Sequence, residues 1–272
     1  MEELRVQGLA VSYSPAGETA LVALHGASDG TRDSSPLYRH LHETLPPLGI
    51  GVATFDRRGD GESVGDATRG HFEAQARDGL AIAEALAVER VGLWGFSQGG
   101  WVAPLAATLS AEVAFVITIA ATGVTPAEQM RYYTRRALEL AGYGPEIVER
   151  AGTLRLELEA WVHDEGPPPD LEGAAHEPWF SLAYLPPAVF DEDGKREWIA
   201  EMDFDPRPIF AAVTVPVLAF YGERDSVSPF EPNVAAWPHA TVVVVPDAEH
   251  DLSLPDGTLA PLYEQTLVDW LS

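Results

Sequence analysis

The chain has 272 residues, 46% of them hydrophobic, and a formal net charge of -25. That length and apolar fraction suit one large α/β domain, or one domain with a sizeable insertion, and exclude a disordered chain. The acidity excludes a nucleic-acid partner, which would need a basic face, and disfavours anionic substrates, while the lack of any cysteine excludes disulfides, thiol catalysis and thiolate metal sites.

Met1-Glu2-Glu3-Leu4-Arg5 opens the chain without the apolar run of a signal peptide. No apolar stretch approaches the roughly 20 residues that span a bilayer. A cytoplasmic protein with no membrane span is therefore expected.

Several short apolar runs end in turn residues and read as strands. Leu4 to Tyr13 is the first. Thr19 to Leu24 follows and runs into His25-Gly26. Helical periodicity predicts a helix over Leu37 to Leu45. Gly51 to Phe55 is a third strand, running into Asp56, and Phe72 to Ala87 a second helix. Val91 to Gly95 is a fourth strand and runs into Ser97. Gln98 to Leu109 is the helix after it, with Pro104 inside, where a bend or an irregular early turn is expected. Ala114 to Ala120 is a fifth strand. Helical signal then covers Pro126 to Ala141 and Pro145 to His163, followed by the loop Gly166-Pro167-Pro168-Pro169 and an aromatic segment up to Trp198. Val215 to Tyr221 and Thr241 to Val245 are the last two strands, and Pro261 to Leu271 the last helix.

Continuous rather than alternating Val/Ile/Leu runs mark strands buried on both faces of a parallel sheet. Strand and helix alternate, which builds a mostly parallel, doubly wound α/β sheet. The alternation breaks between about Gly123 and Pro208. The expected organisation is a core over residues 1–122 and 208–272, with 123–207 as a helical insertion above the sheet edge. Ligands of such sheets sit beyond the carboxyl ends of the strands. The polar residues after the second, third, fourth, sixth and seventh runs all belong on that edge.

Gly95-Phe96-Ser97-Gln98-Gly99 fits G-x-S-x-G at the junction of a buried strand and a helix. That context is a nucleophile elbow, a sharp turn that lifts the serine off the sheet. A serine hydroxyl needs a base. His250, between the last strand and the last helix, is the best placed histidine. His25 is a rival, better suited to bracing the loop after the second strand, and the other six histidines read as surface residues. The base needs a carboxylate to fix its tautomer. Asp225, in Tyr221-Gly222-Glu223-Arg224-Asp225, is the candidate and Glu223 the rival. Small residues in His25-Gly26-Ala27-Ser28 allow a backbone N–H to reach a developing oxyanion. The N–H groups of Ala27 and Gln98 are the expected donors. No cofactor and no metal are called for.

These residues, with Asp56-Arg57-Arg58-Gly59-Asp60-Gly61-Glu62-Ser63, resemble the α/β-hydrolase superfamily in type and in order. Within it the chain resembles cap-bearing carboxylesterases. Many of those carry His-Gly-Ser-Gly and then Asp-Arg-Asp, where this chain has His25-Gly26-Ala27-Ser28 and Thr31-Arg32-Asp33. The resemblance implies an α/β-hydrolase fold, a helical cap over 123–207, a Ser97-Asp225-His250 triad and a neutral, apolar small-molecule ester as substrate. It implies a structural role for the Asp56–Ser63 block. Peptidase, thioesterase, lactonase or perhydrolase chemistry suits the same triad, as does a ligand-binding protein that turns over slowly. The cap aromatics Tyr132, Tyr133, Trp161, Trp179, Phe180, Tyr184 and Trp198 either line a pocket or form the cap's own core.

Overall fold

The computed structural model describes residues 1–272. In chain order the strands are β1 (Glu2–Val6), β2 (Leu9–Ser14), β3 (Thr19–Leu24), β4 (Ile50–Phe55), β5 (Arg90–Phe96), β6 (Val113–Ile119), β7 (Val217–Gly222) and β8 (Thr241–Val245). The helices are α1 (Pro36–Thr44), α2 (Phe72–Ala85), α3 (Gly99–Leu109), α4 (Pro126–Leu140), α5 (Pro145–Val162), α6 (Leu171–Ala174), α7 (Glu192–Met202), α8 (Arg207–Ala212), α9 (Phe230–Ala235) and α10 (Pro261–Leu271). The strands form one sheet in the order β1-β2-β4-β3-β5-β6-β7-β8, parallel from β4 to β8 and antiparallel at the β1–β2–β4 edge. This is the doubly wound sheet that the strand–helix alternation predicts.

The expected first strand, Leu4 to Tyr13, is in fact a hairpin. Gln7 and Gly8 both take positive φ, 49° and 89°, as two-residue hairpin turns of the mirror-image types require. β1 therefore folds back on β2, with Val6 opposite Leu9.

Alternate residues of each central strand serve two separate cores. Leu21, Trp94, Ile117 and Phe220 face the side covered by α1 and α10. Val22, Leu93, Val116 and Ala219 face the side covered by α2, α3 and α8. Burial of each Val, Leu, Ile or Phe side chain among them contributes about 1.5–3 kcal/mol. Trp94 also donates its indole N–H to the Tyr263 hydroxyl at 3.2 Å, joining β5 to α10. α3 runs unbroken through Pro104. Its irregularity lies in the first turn, where Gly100 and Trp101 bond three residues back, to Ser97 and Gln98.

From Pro126 to Met202 the chain runs through α4 to α7 without adding a strand. These helices share an apolar cluster of their own, including Leu138, Leu154, Leu158, Trp179 and Phe180. Thr125 and Glu128 form a capping box at the start of α4. Arg155, 3% exposed, donates to Thr134 Oγ1 and to the carbonyls of Ala183 and Tyr184, tying α5 to α4 and to the following loop.

Candidate active site

Three loops at the carboxyl ends of β5, β7 and β8 carry the polar groups that meet. The β5 loop is shaped by glycine. A methyl group on Gly95 would overlap the Gly99 carbonyl, and one on Gly99 would overlap the carbonyls of Leu24 and His25. Only glycine lets the strand end, the helix start and the end of β3 approach so closely. Ser97 sits between them at φ 52°, a region non-glycine residues rarely occupy. Its N–H donates to the Ile119 carbonyl at 2.8 Å, so β6 holds the strained turn.

The other two loops are fastened to each other. β7 and β8 pair up to Gly222 and Val245, and the Arg224 N–H donates to the Ala248 carbonyl at 2.9 Å. Asp225, 6% exposed, is thereby set beside His250. The His250 Nδ1 lies 2.8 Å from Asp225 Oδ2, and its Nε2 lies 2.9 Å from Ser97 Oγ. The carboxylate can only accept, so the network places the imidazole proton on Nδ1 and leaves Nε2 to accept from the serine hydroxyl.

The carboxylate is well supported. Oδ1 accepts from the N–H groups of Val227 and Ser228 at 2.8 and 3.0 Å. Oδ2 also accepts from Ser228 Oγ at 2.7 Å. Burial pushes the Asp225 pKa up, but the adjacent His250 and these hydrogen bonds outweigh it and hold the carboxyl below its ordinary value. Asn233 donates to Ser228 Oγ at 3.0 Å and accepts from the Gly123 N–H at 2.9 Å. Sequence reasoning did not single out Ser228 or Asn233. An aspartate side chain readily accepts from the backbone two residues on, here at Val227, which is the one local signal close to Ser228. Asn233 offered none.

The rivals lie elsewhere. The His25 ring meets the Tyr38 hydroxyl through Nδ1 at 3.0 Å. Burial, and then the Arg57 charge, lower its pKa to about 4, so it stays neutral at neutral pH. Glu223 is exposed and accepts from the Asp247 N–H at 3.2 Å. Two of the expected surface histidines are half-buried instead. His42 lies between Ser14 Oγ and Thr54 Oγ1, at 2.9 and 3.1 Å. His40 pairs with Glu264 at 2.8 Å. In both cases α1 turns the ring towards a neighbouring element rather than to solvent.

Ala27 is exposed on the β3 loop, and Gln98 is buried at the start of α3. Neither backbone N–H donates to an acceptor in the protein. The Asp56–Ser63 block builds the wall behind Ala27. The Arg57 guanidinium donates to the carbonyls of Gly26 and Ser28 at 3.1 and 2.8 Å and pairs with Asp60 at 2.8 Å. Asp56 accepts from the Arg32 and Glu62 N–H groups at 2.8 and 2.7 Å and pairs with the Arg32 guanidinium at 2.8 Å. Its charges are thus a satisfied loop network.

The insertion aromatics have several roles: the Tyr132 hydroxyl donates to the Asp225 carbonyl at 3.4 Å, and the Tyr133 ring meets that of Tyr184 edge-on. Trp179 and Phe180 are buried in the insertion's own core, with Trp161 packed against them. Tyr184 and Trp198, with Met130, Leu185 and Met202, line a cavity of about 320 Å³. A cavity of about 680 Å³ is remote from the three loops. It lies between α2 and the amino ends of β5 and β6, where Val91 and Val113 line it.

The chain matches the α/β hydrolase family over residues 21–260 and belongs to it. Solved structures share its fold. An esterase from Exiguobacterium antarcticum superposes with a TM-score of 0.63 at 20% identity, covering 99% of this chain and 98% of that one. A proline iminopeptidase-related protein from Thermus thermophilus gives 0.64 at 23% identity, covering 99% and 96%. A bromoperoxidase from Bacillus anthracis gives 0.63 at 19% identity, covering 99% of both chains. At such identities the likeness shows a shared fold, not a substrate.

Proposed function

We propose that the protein is a serine esterase that cleaves carboxylic esters through an acyl-enzyme on Ser97. One observation carries this reading. A continuous hydrogen-bonded run leads from the buried Asp225 carboxylate, through the His250 ring, to a serine hydroxyl held on a strained elbow.

Ser97 Oγ attacks the ester carbonyl carbon as its proton passes to His250 Nε2. Asp225 stabilises the imidazolium and keeps the ring oriented. The carbonyl oxygen becomes an oxyanion and takes hydrogen bonds from the N–H groups of Ala27 and Gln98, which have no other acceptor. The C–O bond to the alcohol breaks, and the leaving oxygen takes the proton from His250. Water then gives a proton to His250 Nε2 as it attacks the acyl carbon. The acid departs, and Ser97 recovers its hydrogen from the ring. Side chains, backbone N–H groups and water supply every proton and bond in this sequence.

Residues 123–207 act in this reading as a helical cap. The substrate is a neutral, apolar ester, in keeping with an acidic chain that disfavours anions. The test is hydrolysis of p-nitrophenyl esters from acetate to long acyl chains by wild type and Ser97→Ala. Turnover by the wild type alone is expected, with a chain-length optimum that sizes the acyl pocket. Equal turnover by both proteins would overturn the assignment. A folded wild type that cleaves none of the esters, but cleaves amides, thioesters or lactones, would move the substrate class while keeping Ser97.

A further inference from the structure

Gln98 follows Ser97 in the elbow, and its side chain is held at both ends. Its Oε1 accepts from Gln75 Nε2 at 3.2 Å, and that same nitrogen donates to the Thr68 carbonyl at 2.9 Å. Its Nε2 donates to Glu201 Oε1 at 3.2 Å. Glu201 belongs to α7, in the helical insertion and far from the elbow in sequence. Its carboxyl is largely withdrawn from solvent, and burial raises its pKa, against the opposing pull of Arg69, Arg57 and His71. None of those groups forms an ion pair with it. A carboxyl group placed at this depth without an ion pair costs free energy unless its contacts repay it. Its hydrogen bond to a neutral amide beside the nucleophile is the feature that remains to explain the placement.

We infer that Glu201 is a positioning residue. It pins α7 onto the elbow through Gln98 and keeps the Gln98 N–H aimed at the oxyanion. The inference rests on the assignment of Ser97 as nucleophile. Gln75 and Glu201 grip the two ends of one planar amide, so the Gln98 side chain has a single orientation. Its backbone, which carries the N–H, then loses the freedom to rotate away. Seating of the insertion on the core and completion of the oxyanion site are therefore one event.

The test compares wild type, Ser97→Ala, Glu201→Leu and Glu201→Gln. The readouts are kcat and KM for p-nitrophenyl butyrate, inhibition by phenylboronic acid, whose tetrahedral serine adduct mimics the oxyanion, and the melting temperature. Glu201→Leu should lower kcat by roughly 10- to 100-fold and weaken boronate inhibition by a similar factor, with KM within about 3-fold. Glu201→Gln keeps a carbonyl acceptor for Gln98 and should recover most of both losses. Gln98→Leu cuts the same link from the other side. It should show the same losses of kcat and boronate inhibition, which keeps the test open if Glu201→Leu folds poorly, and where both fold the double variant should cost no more than the larger single change. An inactive Ser97→Ala beside an undiminished Glu201→Leu would overturn this inference alone. So would a Glu201→Leu whose KM rises while kcat and boronate inhibition hold. Turnover surviving in Ser97→Ala would overturn the nucleophile assignment, and this inference with it.

Discussion

The Arg57 guanidinium donates to the Gly26 carbonyl at 3.1 Å from a position that is 1% exposed. The loop that presents the Ala27 N–H is therefore set by a residue that follows β4, and not by the loop itself. Arg57→Met keeps the bulk and removes the fork. It should lower stability by about 3–5 kcal/mol, because Asp60 loses its buried partner and two carbonyls lose their donors. Chemical denaturation reads the stability. Assay of the folded fraction should show kcat reduced by at least about 10-fold. A fully active Arg57→Met would separate the oxyanion donor from this loop.

The Ser97–His250 contact predicts chemical reactivity as well as turnover. A fluorophosphonate should label wild type at Ser97, with the adduct mapped by mass spectrometry. His250→Ala should label at least about 10³-fold more slowly, because the hydroxyl loses its proton acceptor. Melting temperatures should stay close together. Fast labelling of His250→Ala would mean that another base serves Ser97.

His25 makes stability depend on pH. Its folded pKa of about 4 lies below the ordinary histidine value of 6.5, so between those two values the unfolded chain binds the proton and the native state does not. The native state is favoured fully above pH 6.5 and loses ground as the pH falls towards 4, by about 3 kcal/mol in all. His25→Phe should flatten that part of the curve of unfolding free energy against pH. Curves of equal slope for the two proteins would show that the ring protonates in the folded state.

Arg155 offers a local stability test. Its guanidinium holds the carbonyls of Ala183 and Tyr184 at 3.1 and 2.6 Å. Arg155→Met should destabilise the protein by about 2–4 kcal/mol, through buried acceptors left without donors. Limited proteolysis should cut within residues 165–190 well before the sheet. Cleavage spread evenly along the chain would show that the loop does not depend on this residue.

Much of the fold is legible because its signals are local. Thr19–Leu24 and Thr241–Val245 are uninterrupted apolar runs with turn residues at their ends, and Pro261 opens the last helix at N1. The β1–β2 hairpin escapes such a reading. Gly8 alone marks the turn, and glutamine at its partner position is not a residue expected at positive φ. Ser97, Asp225 and His250 can be picked out because parallel strands bring their carboxyl ends to one edge. Glu201 cannot. Its partner Gln98 is 103 residues away, and no periodicity in α7 marks the face that meets the elbow.

The distance along the chain between Ser97 and His250, 153 residues, has a consequence for the growing polypeptide. Synthesis runs from the amino end, and the elbow leaves the ribosome long before β7 and β8 exist. On the proposed mechanism the hydroxyl has no proton acceptor during that interval. The nucleophile stays dormant until the last strands dock, and a chain cut short anywhere before residue 250 carries a serine that cannot attack.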